Sequence, residues 1–544
     1  MAPAARWWLE WEFWIVLLLA GLTFGSRLGD VLPSGEEPRR GQVAREMIAG
    51  GDWIVPRQQG EPFLSRPPVQ NWLIALAALA RGKVDYTAIR LPSVAALLLT
   101  TALVYAFGRT FLSRLGALWA AAAYPTMGLV LQSGWLGETE SLYTFLVAGS
   151  LIAWRWADAR GRPLAGWCGG YALAALGILT KGPQAPIYFV AGVVLFLLVM
   201  RRGRELVRWQ HALGICTFLA IWLAWEIPFC LHVNPHEAWT MLTGDVAMRF
   251  SDGSWGKTLT HVFLFPLSVG ACTLPWGVLL LAYFSRDFRR GIAPVRAEVC
   301  FLGLSIGFAF LTCYAVPGAR NRYLAPTLPL IALLIGLAAQ QCCAAAGTMW
   351  QLRRHYFLGA GILAAGLGTW IVVATVFRLG ASKGQQPPAF AAAFALAALA
   401  ATTIAVWIAL RPSPARDRLG VLTLTALLGL TSSGAIVNIQ VARQHPIDDE
   451  IATAASRIPQ GEELVSIGPV DDVFLYYYGR PIRRLPADAG RGRGKRPWTW
   501  FCMGCGPKMP QFDLPYEQIG RISMKPAHTD DSSEVVIIGR LIAK

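Results

Sequence analysis

An apolar run needs roughly 17 to 25 residues to cross about 30 Å of hydrocarbon. Thirteen such runs are found, near residues 11–29, 88–108, 115–132, 139–157, 164–180, 184–200, 211–232, 260–284, 297–316, 322–340, 356–377, 389–409 and 419–438. Each is predicted to be a membrane-spanning helix. A further run, VQNWLIALAALA from Val69 to Ala80, is shorter and is expected to lie on or dip into the membrane. Before it stands a polar stretch, SGEEPRRGQVAREMIAGGDWIVPRQQGEPFLSRPP, Ser34 to Pro68. After about residue 440 the long runs cease and shorter periods take over. ELVSIG, PIRRL and EVVIIG read as strands, and DDEIATAASRI and DDVFLYYYG as helices. The expected fold class is therefore an all-α polytopic membrane protein with a small C-terminal α/β domain. Its expected division is 1–440 and 441–544, with an outer loop at 30–87.

Composition agrees with the pattern. Of 544 residues, 54% are apolar and only 15% charged, far from the quarter-charged balance of soluble domains. The formal charge of +16 is scattered in short groups between apolar runs, so a nucleic-acid partner is not expected. Those groups also orient the chain. With the N-terminus cytoplasmic and Val69 to Ala80 not crossing, the cytoplasmic loops hold Arg109 and Arg114, Arg155 to Arg162, Arg201 to Arg208, Arg286 to Arg296, Arg353 and Arg354, and Arg411 to Arg418. The opposite short loops hold few cations. Counting the short run as a span would invert every later loop. The C-terminal domain is thus expected outside the cytoplasm of an inner-membrane protein, and the first helix is expected to be retained. Cys502 and Cys505 read as a structural disulfide or a chance pair, with zinc less expected because no second ligand pair follows. The Gly/Arg run AGRGRGKRP reads as a loop.

Candidate chemistry gathers at the outer ends of the spans. Ser34-x-x-Glu37 followed by Pro38 fits a helix start, which explains one carboxylate but not the pair Glu36 and Glu37 beside Arg39 and Arg40. GDW then VP reads as a second capping signal. Glu138 and Glu140 open a span, where a carboxylate is either a cap or a functional group. Lys181, Arg249, Lys257, Arg320 and Arg322 lie on the side that positive charge avoids, and binding a phosphate gives them a reason. Arg322 with Tyr323 also reads as an interfacial anchor. The histidines carry little: His232 and His236 flank a proline, and His261 begins a span.

In consistent order, EEPRR, VAREMIAGGDWIVPRQQGEPFLSRPPVQNWLIAL, GETESLYTFL, LTKGP, LPW and ARNRYLAPTLPL resemble the membrane glycosyltransferases of the GT-C fold. The similarity is to the aminoarabinose transferases of lipid A and the dolichyl-phosphate-mannose protein mannosyltransferase superfamily, over roughly residues 10–340. The resemblance implies transfer of a sugar from a polyprenyl-phosphate donor to an acceptor on the outer face, by a single inverting displacement. The family's Asp-Glu-x-Arg-Tyr, whose Asp is the proposed general base, falls on Glu36, Glu37, Pro38, Arg39 and Arg40. Its Glu-Lys-Pro-Pro falls on Ser65, Arg66, Pro67 and Pro68. Implied catalytic residues are Glu36, Glu37 and Glu140; implied contacts of the donor phosphate are Arg39, Arg66, Lys181, Arg320, Arg322 and Tyr323. Glu36 and Glu140 are alternative ligands for a divalent cation, Mg2+ or Mn2+, no cofactor being required by the residues themselves. The acceptor stays open among glycan, lipid and protein. Two other classes remain: a non-catalytic lipid-phosphate-binding relative, suggested by the replaced Asp, Tyr and Glu, and a polytopic transporter or flippase.

Overall fold

A computed structural model describes residues 7–26, 28–31, 35–237, 255–344, 413–431, 447–491, 496–505, 512–524 and 535–542, with isolated positions and stretches of two or three residues between them. The expected spans near 356–377 and 389–409 lie almost wholly outside the described residues, as do Ser34, Arg249 and the centre of the Gly/Arg run. Two compact units are formed. One takes Met1–Leu28, Leu64–Gln70 and Arg90–Ile439; the other takes Gly29–Phe63, Asn71–Ile89 and Gln440–Lys544.

The first unit is helical. Its helices include α1 (Trp11–Gly25), α4 (Tyr86–Gly108, begun in the other unit), α5 (Arg114–Ala123), α6 (Gly128–Ser133), α7 (Glu140–Asp158), α8 (Pro163–Lys181), α9 (Gln184–Val199), α10 (Trp209–His232), α11 (Trp255–Cys272), α12 (Arg296–Tyr314), α13 (Leu328–Ala344) and α14 (Pro414–Thr431). Among the described residues, five helices are long and apolar enough to cross a membrane, or six if the pair Thr258–Cys272 and Trp276–Phe284, bent by 113°, is one span. Several expected spans differ from a plain helix. The run at 115–132 is broken: α5 stops, Tyr124–Thr126 tightens into a 3-10 turn containing Pro125, and α6 follows. Proline has no N–H to continue the ladder, which accounts for the break. α7 carries Glu140, Arg155 and Asp158, and α1 and α9 run only 15 and 16 residues.

The arginines that orient the chain also join its helices. Glu10 meets Arg109 at 3.0 Å, and Glu12, fully buried, pairs with Arg114 and Arg418. Arg155 reaches Glu298 at 2.6 Å, and Arg202 meets Asp158 at 2.5 Å. α5 and α13 cross where Gly116 and Gly336 bring backbone against backbone; a Cβ on Gly336 would strike the Gly116 carbonyl.

The second unit holds α2 (Glu37–Gly50), strands β1 (Arg57–Gln58) and β2 (Glu61–Pro62), most of α3 (Val69–Arg81) and the tail. It is larger than the tail alone. At about 1.5 Å per residue the 13 residues of α3 cover roughly 20 Å, too short to cross alone. The tail adds α15 (Ile447–Ser456), β3 (Leu464–Ile467), α16 (Asp472–Tyr478), β4 (Arg483–Leu485), β5 (Trp500–Cys505), β6 (Tyr516–Ser523) and β7 (Val535–Leu541). Strand order is β4-β3-β5-β7-β6, parallel across the first three strands and antiparallel beyond. The three strands and two helices read from the pattern are present; β5 and β6 are additional.

Alternation along β5 supplies both faces of this sheet. Trp500 and Cys502 join Ile451, Phe474 and Ile538 under the two helices, while Phe501 and Met503 pack with Val465, Ile467 and Trp498 on the reverse. The disulfide reading is corrected by Cys502 itself. Cys502 is a buried free thiol whose pKa burial pushes well up.

Candidate functional site

Two groups of charged residues stand out, one in each unit. In the helical unit, Glu138 and Glu140 precede and open α7, Lys181 ends α8, and Arg322 lies in the 3-10 stretch Asn321–Thr327. Lys181 Nζ donates to Glu140 Oε1 at 2.7 Å, with both side chains almost fully buried. Arg322 Nη1 donates to Glu138 Oε2 at 3.1 Å, and its Nε lies 3.7 Å from Glu140 Oε1. The Lys181 ammonium also faces the rings of Tyr143 and Tyr323, at 5.6 and 5.4 Å from the centroids. Two carboxylates and two cations thus balance, as burial requires. Access separates them: the Lys181 side chain is 5% exposed and that of Arg322 32%. Arg320 is exposed and makes no ion pair among the described residues. Arg66 is half-buried, with Nη1 donating to its neighbour's carbonyl, Ser65 O, at 2.8 Å.

In the second unit Glu36 is the N-cap residue of α2, and Pro38 sits in the first turn. The Glu36 side chain is 38% exposed, whereas Glu37 is fully buried and so is Arg40, which donates to Asn71 Oδ1 at 3.4 Å. The two adjacent carboxylates therefore differ in access. Arg39 Nη1 lies 3.1 Å from Glu36 Oε2, and its Nε donates to Asp472 Oδ2 at 2.7 Å. Partial burial works against the Arg39 charge, yet Asp472 and Glu36 outweigh it and its pKa is raised.

Local chemistry fixes the loop after α2. Gly51, in the left-handed region at φ 69°, closes the helix. The expected second helix start at GDW is instead a turn, with the Asp52 carboxylate accepting from the Ile54 and Val55 N–H groups and from Arg57. Strands β1 and β2 then form a hairpin whose tip residues, Gln59 and Gly60, both have positive φ. Glu46 on α2 accepts from both tip N–H groups, at 2.7 and 3.0 Å. Gln58 Nε2 donates to Asp472 Oδ1 at 2.6 Å, and Gln59 Nε2 to Ser466 Oγ at 2.9 Å.

Among the described residues no group of three or more His, Cys, Asp or Glu is placed to hold a metal ion. Of the two cation ligands expected, Glu140 already carries an ammonium at 2.7 Å, a poor setting for a dication.

Residues 65–225 match the model of the dolichyl-phosphate-mannose-protein mannosyltransferase family. The undecaprenyl phosphate-alpha-4-amino-4-deoxy-L-arabinose arabinosyl transferase of Pseudomonas aeruginosa (strain UCBPP-PA14) is 29% identical over 409 residues, 73% of this chain and 71% of the relative. The enzyme of the same name from Edwardsiella ictaluri is 25% identical over 62% of this chain and 61% of its own. Among solved structures, ArnT from Cupriavidus metallidurans in the apo state aligns over 98% of both chains with a TM-score of 0.69 at 18% identity. The same protein bound to undecaprenyl phosphate aligns over 98% of both with a TM-score of 0.68 at 17% identity.

This chain is similar in sequence to these membrane glycosyltransferases and shares the fold of ArnT.

The charged residues from GETESLYTFL, LTKGP and ARNRYLAP converge in one unit, although 41 residues separate Glu140 from Lys181 and 184 separate Glu138 from Arg322. Glu36 and Arg39 fall in the other. Asp472 and Gln58, which complete the Arg39 network, were not singled out by sequence. The signal available was the doubled Asp471-Asp472, which reads first as a helix start, and Asp471 does cap α16 by accepting from Val473 N at 2.8 Å.

Proposed function

We propose that this transferase moves a sugar from a polyprenyl-phosphate carrier to an acceptor on the outer face of the inner membrane, with the N-terminus cytoplasmic and the tail domain outside. The observation that carries the reading is the 29% identity over 409 residues to a transferase named for an undecaprenyl-phosphate-linked donor. The Cupriavidus fold neighbour bound to undecaprenyl phosphate fits it. A pentose donor follows the relatives' names.

In the proposed reaction an acceptor oxygen attacks the anomeric carbon, its proton passes to a carboxylate, and the polyprenyl phosphate leaves with the electrons of the broken C–O bond. Glu36 is the better base, because its side chain is 38% exposed while Glu37 is fully buried. Arg39, 3.1 Å away, holds Glu36 in place. Arg320 and Arg322 are proposed to meet the leaving phosphate, being open enough to reach it; Arg66 adds charge. Lys181 and Glu140 are too enclosed for direct contact and set the position of Arg322. Tyr323 covers Lys181. No step is routed through a divalent cation.

The test is release of undecaprenyl phosphate from a sugar-linked donor by purified protein. Glu36→Gln should lower release by about 10²–10⁴-fold while the donor still binds; full activity in the folded variant removes the assignment.

A further inference from the structure

A cavity of about 290 Å3 opens in the second unit, lined by Arg39, Gln58, Phe63, Asp471, Asp472 and Arg484 among others. Its size is near the lower end of small-molecule sites, about 300 Å3. It lies outside the C-terminal end of β3, whose parallel neighbours β4 and β5 flank it on opposite sides. That is a topological switch point, where α/β sheets leave a crevice. The hairpin and α2 close its other side.

Four charges line the cavity and cancel: Arg39 and Arg484 against Asp471 and Asp472. Each cation also has a carboxylate at hand, Arg39 with Asp472 at 2.7 Å and Arg484 with Glu61 at 3.0 Å. A phosphate entering here would meet cations already satisfied and two carboxylates repelling it. Hydroxyl groups fare differently, since each donates and accepts at once. They can insert among guanidinium, carboxylate and amide without changing the balance of charge. The amide of Gln58, pinned through Nε2 to Asp472 at 2.6 Å, presents its oxygen as a further acceptor. We infer that this cavity is a saccharide subsite and that its occupant is an uncharged, polyhydroxylated part of the acceptor. Arg39 lines it and holds Glu36 at 3.1 Å, so a sugar bound here stands beside the proposed base. The inference rests on the transferase reading for its purpose and on the cavity alone for its chemistry.

Binding is measured on the full chain in nanodiscs by saturation-transfer NMR, with maltotriose and N,N′,N″-triacetylchitotriose as probes and inorganic phosphate as competitor. At least one saccharide should give a saturable signal, indifferent to phosphate and weakened at least about tenfold in both Gln58→Ala and Arg484→Ala. The two substitutions sit on different strands at exposed or half-exposed positions, so a folding defect in one does not remove the test. Absence of signal from both probes, full binding in both variants, or displacement by phosphate overturns the inference. Release of undecaprenyl phosphate is followed in parallel. Saccharide binding without lipid release sinks the transferase reading and leaves the subsite; release without binding does the reverse.

Discussion

The neighbours Glu36 and Glu37 illustrate how one residue of offset along a helix start separates two roles. Glu36 is the N-cap residue with an exposed carboxylate, and Glu37 is inside the unit. Glu36→Gln is expected to lower kcat by about 10²–10⁴-fold, the usual scale for a general base, with little change in thermal stability. Glu37→Gln should instead lower the yield of folded protein, and kinetics with thermal unfolding separates the two. Buried Lys181 and Glu140 give a second residue-scale expectation. Removing one partner strands a charge, at a cost of about 3–5 kcal/mol, whereas Lys181→Met with Glu140→Leu should restore most of that stability. Lipid-phosphate release should stay impaired in the double variant, because Arg322 loses its 3.7 Å neighbour. Recovery of release would make the pair purely structural.

At the scale of elements, what was legible was what is local. Pro38 and the glutamates announced the start of α2, and the alternation in ELVSIG and EVVIIG announced β3 and β7. What was hidden depends on partners far away. Arg39 meets Asp472 across 433 positions and Gln58 meets it across 414, and no periodicity encodes such pairings. Gly41 is a further case: a Cβ there would come within 2.7 Å of both Ile89 and the Tyr476 ring, so α2 packs too closely for any side chain. Gly41→Ala is therefore expected to destabilise the second unit by about 1–3 kcal/mol, read by thermal unfolding in detergent. The Asp52 turn carries a pH dependence. Burial pushes its carboxyl up, but the Val55 and Ile54 N–H groups and Arg57 prevail and hold it below the ordinary carboxylate range. Its stabilisation is thus complete above the unfolded carboxyl's pKa and is lost as pH falls through the folded one. Proteolysis between residues 52 and 63 should accelerate below about pH 4 in the native protein and at neutral pH in Asp52→Ala; equal cleavage across that range would contradict the turn's role.

For the whole molecule, the order of motifs along some 330 residues carried the family reading, because spans and outer ends repeat in a fixed sequence. Exact span boundaries did not follow as readily. Pro125 divides an apolar run into two short helices, and a 113° bend divides another, although hydropathy alone treats both as continuous. The central claim is transfer from a polyprenyl-phosphate donor. Its most direct test is mass spectrometry of undecaprenyl phosphate released in proteoliposomes from undecaprenyl-phosphate-linked aminoarabinose, and from hexose-linked donors, in the presence of envelope glycans and lipids. The account predicts release with the native protein and release slowed by about 10²–10⁴-fold with Glu36→Gln; folded native protein that binds these donors and releases no lipid phosphate from any would contradict it.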